Sequence, residues 1–140
     1  MIAYFDTSAL IPLLIEEPAS AAAAQLWDGA GRVVSVRLLC PEARAALAQA
    51  HRMGRLSSRQ LRSAVSGMES LDRQLDHIEL TEPLAARAGQ LAEDYELRGY
   101  DALHLAAAEL IADEDLVVVA GDQDLRSAAQ ALGLATANLD

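Results

Sequence analysis

The first fifteen residues constrain this chain most. Ile2-Ala3-Tyr4-Phe5 is a short apolar run that stops abruptly at Asp6-Thr7-Ser8, and a new apolar stretch follows from Ala9 to Ile15. An apolar run ending in an acid and two hydroxyls, then a helix-like pattern, reads as a buried strand that delivers a carboxylate at its C-terminal end. In open α/β sheets that edge is where ligands bind.

The chain as a whole alternates strand and helix in the same way. Ala9–Ile15 reads as a short helix stopped by Glu16-Glu17-Pro18, and Ala19–Asp28 as a second, alanine-rich one. Arg32–Val36 is a strand. A long helix opens between Arg37 and Pro41, where proline is tolerated in a first turn, and runs to Gly54. Ser57 with Gln60 forms a capping box for a helix to about Arg73, with Gly67 as a weak point inside it. His77–Leu80 is a brief strand. Thr81-Glu82-Pro83 opens a helix expected to end near Gly99, and Tyr100 or Asp101 starts another to Ala112. Leu116–Ala120 is the clearest buried strand, Gly121-Asp122 turns into a helix ending at Gly133, and Leu134–Ala137 is an edge strand. The fold class is therefore α/β in one domain, 1–140: a parallel sheet of four to five strands with helices on both faces.

Composition narrows the function classes. The net charge of −10 opposes broad coating of nucleic acid or anionic membrane. From Arg37 to Arg62, however, six arginines face one acid, Glu42, so this stretch carries +5 and the rest −15. Arg44, Arg52, Arg55, Arg59 and Arg62 fall on two consecutive helices and their Gly54 turn. They read either as a solvated helix face or as a wall that tracks phosphates. The chain has no lysine, which removes receiver-like and phosphatase sites that steady a phosphoryl group with one. The single cysteine, Cys40, permits no internal disulfide and fits a reducing cytoplasm. No run of 18 apolar residues suggests a membrane span.

Four acids stand where parallel strands end or helices begin. Asp6 and Asp122 each close an apolar strand; Glu42 sits beside Pro41; Asp101 precedes Ala102-Leu103-His104-Leu105-Ala106. Taken singly, Asp6 and Asp122 equally suit helix caps and Glu42 a first-turn acid. Asp101 lies in an otherwise apolar stretch, where a bare carboxylate is expensive. Together they repel one another and demand a proton or a cation; hard divalent ions with oxygen ligands fit them best. Asp124, two residues after Asp122, is a weaker candidate. His104 follows Asp101 by three positions, on nearly the same helix face, and reads as a packing or hydrogen-bonding group. His51 and His77 have no evident sequence partner, and Trp27 reads as core or interface.

Asp6-Thr7-Ser8-Ala9-Leu10, Pro41-Glu42, Asp101-Ala102-Leu103-His104-Leu105-Ala106-Ala107-Ala108 and Gly121-Asp122-Gln123-Asp124-Leu125 resemble, in order and spacing, a PIN domain of the VapC toxin type. The resemblance covers essentially the whole chain. It implies the PIN-like three-layer fold and an endoribonuclease dependent on Mg²⁺ or Mn²⁺. Asp6, Glu42, Asp101 and Asp122 would form the acidic quartet, with Thr7 and Ser8 in support and Asp124 holding a water or second metal. It further implies a cytoplasmic homodimer, neutralised by a small VapB-like antitoxin. The chain departs from the family pattern at Ala120-Gly121, where a Thr or Ser often precedes the last acid, and at its Ala137-Asn138-Leu139-Asp140 ending. The alternatives are a PIN-type nuclease acting on DNA or on housekeeping RNA, and a PIN-like RNA- or partner-binding domain without catalysis.

Overall fold

A computed structural model describes residues 1–140. In chain order the elements are β1 (Ile2–Phe5), α1 (Thr7–Leu10), a 3₁₀ turn (Ile11–Leu13), α2 (Ser20–Gly29), β2 (Arg32–Val36), α3 (Leu39–Arg52), α4 (Ser58–Asp72), β3 (Asp76–Ile78), α5 (Glu82–Tyr95), α6 (Gly99–Leu110), β4 (Leu116–Val119), α7 (Gln123–Ala131) and β5 (Ala135–Ala137). All five strands are parallel, in the order β3-β2-β1-β4-β5. The chain winds from β1 outward through β2 and β3, then returns to the other side of β1 for β4 and β5. The connections leaving β1 and β4 thus diverge, and a crevice opens between the C-terminal ends of these two strands.

Strand alternation sends Ala3 and Phe5 to one face and Tyr4 to the other. The first face packs on α1–α4 through Ala9, Leu10, Leu39, Leu47 and Met68; the second packs on α5–α7 through Leu84, Leu91, Leu105 and Leu125. Burying each such side chain is worth about 1.5–3 kcal/mol, so two dry layers hold the sheet rigid beneath the crevice. Trp27 belongs to the first layer, edge-on to Phe5 with ring centroids 5.3 Å apart. No helix is long and apolar enough to cross a membrane.

The clearest differences from the sequence expectation have local reasons, while β3 lies at Asp76–Ile78 rather than His77–Leu80 and the other boundaries shift by no more than three residues. The first helix begins at Thr7 rather than Ala9, because Asp6 caps it, and gives way to a 3₁₀ turn at Pro12, which has no N–H for an i−4 bond. The helix expected to end near Gly99 ends at Tyr95, since Glu96 itself adopts the left-handed conformation (φ 54°) that closes it. Gly99 then opens α6. Gly67 does not interrupt α4. A Cβ there would lie 3.3 Å from a Leu14 methyl, so the glycine allows close approach of the 3₁₀ segment.

Candidate functional site

Each acid is placed by a different element, and Asp6 and Asp122 are placed by capping a helix. Asp6 caps α1, its Oδ1 accepting from the Ala9 N–H at 3.0 Å; Asp122 caps α7, its Oδ1 accepting from the Leu125 N–H at 3.0 Å. Capping occupies one oxygen and pins the side chain, which leaves Oδ2 of Asp122 turned toward the crevice. Capping and site-building are the same geometry here.

Ser8 joins the two strand ends. Its hydroxyl oxygen accepts from the N–H groups of Gly121 (2.8 Å) and Asp122 (3.2 Å), and its proton goes to Asp6, both of whose oxygens lie 2.8 Å away. A Cβ at position 121 would sit 3.3–3.4 Å from Ser8, so glycine there lets the Ser8 hydroxyl approach the strand end without a shift. Ser8→Ala should leave those N–H groups to water and cost about 1 kcal/mol in urea denaturation, at the low end for an unmade hydrogen bond because Gly121 is exposed.

Glu42 stands in the first turn of α3, half-buried. Its Oε1 accepts from the Thr7 hydroxyl at 2.8 Å and from Nε2 of His104 at 2.7 Å. His104 is buried (2% exposed) and its Nδ1 meets the Tyr4 hydroxyl at 2.8 Å. A continuous line thus runs from β1 through α6 to α3. His104 is therefore a hydrogen-bonding group, as its sequence position suggested. Burial pushes the Glu42 carboxyl up, but the hydrogen bond and charge of His104, the Thr7 hydroxyl and Arg98 outweigh it and hold the group below its usual range. Burial also keeps Tyr4 protonated well above the usual phenol range.

Asp6 behaves oppositely. Burial pushes its carboxyl up to about 6, against the pull of His104, Ser8 and the Ala9 N–H and with added push from the charge of Asp101. Asp101 lies in the first turn of α6, where Arg98, at its N-cap, reaches back to it at 3.0 Å (Nε to Oδ2) and to Asp122 Oδ2 at 3.7 Å. Arg98 is thus the counter-charge of the acidic mouth, although its side chain is 80% exposed. Asp124 is exposed in the first turn of α7; its charge reaches Arg98, and no hydrogen bond ties it to the quartet.

The structure brings Asp6, Glu42, Asp101 and Asp122, with Thr7 and Ser8, to the crevice between β1 and β4. The arginines of α3 and α4 are dispersed. Arg44 is exposed two residues beyond Glu42, Arg52 lies ten residues along α3, about 15 Å at 1.5 Å per residue, and Arg59 is exposed in the first turn of α4. Arg55 pairs with Glu17 at 3.2 Å. The arginine beside the acids is Arg98, which sequence reading missed; its only sequence signal was the i,i+3 spacing to Asp101. The other histidines do have partners: His77 Nε2 meets Asp72 at 2.7 Å and His51 Nδ1 the Leu56 carbonyl at 2.8 Å, both away from the crevice.

Over residues 3–131 the sequence matches the model of the PIN domain. The chain belongs to the PIN domain family. Two curated relatives, Ribonuclease VapC45 of Mycobacterium tuberculosis (strain CDC 1551 / Oshkosh) and Ribonuclease VapC49 of M. tuberculosis (strain ATCC 25618 / H37Rv), are each 42% identical over 141 residues, which is 99% of this chain and 98% of theirs. Among solved structures, FitAcB from Neisseria gonorrhoeae aligns at 19% identity and TM-score 0.69, covering 99% of this chain and 98% of that one. VapBC2 from Rickettsia felis, bound to a DNA fragment from their promoter, aligns at 15% identity and TM-score 0.68 over the whole of both chains. At such identities the likeness establishes the three-layer PIN fold.

The donor set of this PIN domain suits a hard divalent cation: carboxylate oxygens, with hydroxyls behind them and no thiolate. No three His, Cys, Asp or Glu side chains stand in a metal-ligating array. Mg²⁺ is compatible with that, because it is commonly held by one or two carboxylates and keeps several waters. Asp6 supplies the physical pull. A carboxylate this buried, beside another negative charge, is raised until a cation relieves it.

Proposed function

We propose that this PIN domain is the endoribonuclease toxin of a toxin–antitoxin pair, hydrolysing RNA phosphodiester bonds with Mg²⁺ or Mn²⁺. The observation that supports the reading is the linkage of Asp6, Asp101 and Asp122 through Ser8 and Arg98, with Glu42 lining the same opening as Asp101, in a chain 42% identical along its length to two ribonucleases. One or two of Asp6, Asp101 and Asp122 would hold the cation directly and the rest through its waters, with Glu42 beside them and Asp124 as a further ligand or water holder. The chemistry such a cation would supply there is activation of a water and relief of charge at the leaving oxygen.

The chain's own residues do the rest. The α1 and α7 caps fix Asp6 and Asp122, and Ser8 keeps the two strand ends in register. Thr7 and His104 hold Glu42 by one oxygen, Oε1. Arg98, tethered but exposed, is placed to meet an incoming phosphate. Asp101 or Asp122 accepts the proton of the attacking water. No side chain in the crevice is set up as a covalent nucleophile. A small VapB-like antitoxin as partner, a homodimeric assembly and a cytoplasmic setting complete the proposal. The fold shared with a toxin–antitoxin complex from Klebsiella pneumoniae supports the antitoxin.

The deciding test is cleavage of total RNA by purified protein in Mg²⁺, Mn²⁺ and EDTA, beside Asp101→Asn. Wild type should cut only with metal. The variant should lose about a hundredfold or more, since even groups that merely support metal ligands cost up to that much. Undiminished cutting in EDTA, or by Asp101→Asn, would remove the metal-hydrolase reading.

A further inference from the structure

An open groove of about 790 Å³ runs from the acidic mouth along α5 and α6. One end is formed by Glu42, Asp101 and Arg98. Its walls are Leu80, Leu103 and Tyr100, and α5 supplies Ala85, Ala88, Gly89 and Ala92 at i, i+3, i+4 and i+7, a floor without large side chains. Its size is that of a ligand pocket. Tyr100, adjacent to Asp101, is 64% exposed and Leu80 is 55% exposed. The other aromatics are not free: Tyr4 and Phe5 are fully buried, and Trp27 and Tyr95 partly so. The chain's one exposed aromatic ring thus stands at the edge of its acidic site.

We propose that this groove is a nucleobase seat: the base next to the scissile phosphate stacks on Tyr100 over the α5 floor, while Arg98 takes a neighbouring phosphate. The proposal rests on the ribonuclease reading and adds where the substrate is gripped. Three observations favour single-stranded RNA as occupant. The groove is continuous with Glu42 and Asp101, so a strand whose phosphate sits at the acids can lay its next base in it. A net charge of −10 gives the protein no general attraction for RNA, so affinity has to come from uncharged stacking and a few placed cations. Arg98 is such a cation, and its fork is already oriented by Asp101 and Asp122. A base in a duplex could not enter, so the seat selects unpaired RNA.

The test is a cycle between ring and base. A single-stranded RNA nonamer with a mapped cut is remade with an abasic residue at each flanking position in turn, and kcat/KM is measured. At one position the abasic change should cost wild type about ten- to a hundredfold, as loss of one base–aromatic stack does. It should cost Tyr100→Ala nothing further, and Tyr100→Phe should behave as wild type. Gly89→Leu supplies a second arm. A Cβ at Gly89 meets no atom within 4 Å, so leucine should fill the groove and raise KM about tenfold without lowering the thermal midpoint. Equal abasic penalties in wild type and Tyr100→Ala at every position would overturn the seat. So would wild-type cutting by both Tyr100→Ala and Gly89→Leu, the pattern expected if the groove holds a protein segment instead. A wild type that cuts no RNA would remove the ribonuclease reading itself, an outcome visible before any variant is made.

Discussion

Asp6→Asn should abolish RNA cleavage and, in the metal-free protein, increase stability. Folded Asp6 keeps its proton up to about pH 6, against an ordinary value of 3.8. Between these values the folded state binds more proton than the unfolded state, so stability falls as pH rises from about 4 to about 6 and is level above that. Two pH units correspond to about 3 kcal/mol. Asparagine caps a helix as well as aspartate does and still accepts from Ala9 and Ser8, so the substitution removes the buried charge and keeps the cap. Urea denaturation in EDTA should show wild type losing stability across that window and Asp6→Asn holding level, with the variant about 3 kcal/mol ahead at pH 7.5. Mg²⁺ should then restore wild type alone, because it binds only the folded state with its carboxylate intact. Parallel pH curves for the two proteins in EDTA would mean that Asp6 carries no such strain. Glu42 acts in a different window: its depressed value adds stability that is lost only as pH falls below its ordinary 4.5, so the two effects separate experimentally.

That tension explains how much of this molecule could be read before folding. β1 and β4 were legible because a parallel strand buried on both faces is a short apolar run with abrupt ends. The helix starts at Ser57, Thr81 and Asp122 were legible because capping is local chemistry within four residues. The four acids stood out by their places at or near strand and helix ends, and the family resemblance grouped them as a quartet. Helix stops were less legible. Glu96 spends a left-handed conformation where a glycine was expected, and the missing N–H of Pro12 tightens α1 into a 3₁₀ turn. What joins distant segments was not legible at all. The strand order, the reach of Arg98 to Asp122, the Tyr4–His104–Glu42 line and the groove between α5 and α6 arise from packing between separate segments, with β1 and β4 pairing residues 114 positions apart. No periodicity in one segment reports on another segment's side chains.

The second large effect is expected at His104, and it separates positioning from mere support. His104→Leu keeps an apolar volume in the α6 layer but leaves the Tyr4 hydroxyl buried without this partner, and Glu42 with only Thr7. The cost should be about 3 kcal/mol of stability, the scale for unmaking two hydrogen bonds when one partner is buried and the other charged. Tyr4→Phe alone should cost about 1 kcal/mol. Adding Tyr4→Phe to His104→Leu should recover part of the loss, because removing both partners of a buried bond is gentler than orphaning one. Activity then tests the direction of the argument. If His104 acts by holding Glu42, His104→Leu should lower kcat strongly in wild type and add nothing once Glu42 is already Gln, since the group it positions is gone. Losses that multiply in the double variant would show His104 acting on the reaction by another route. A kcat that tracks only the fraction folded would reduce it to a packing residue. The 2.7 Å contact to Glu42 Oε1 predicts the first outcome: a carboxylate held at one oxygen by a rigid imidazole has its free oxygen aimed, and an aimed oxygen is what a hydrolytic site needs from its fourth acid.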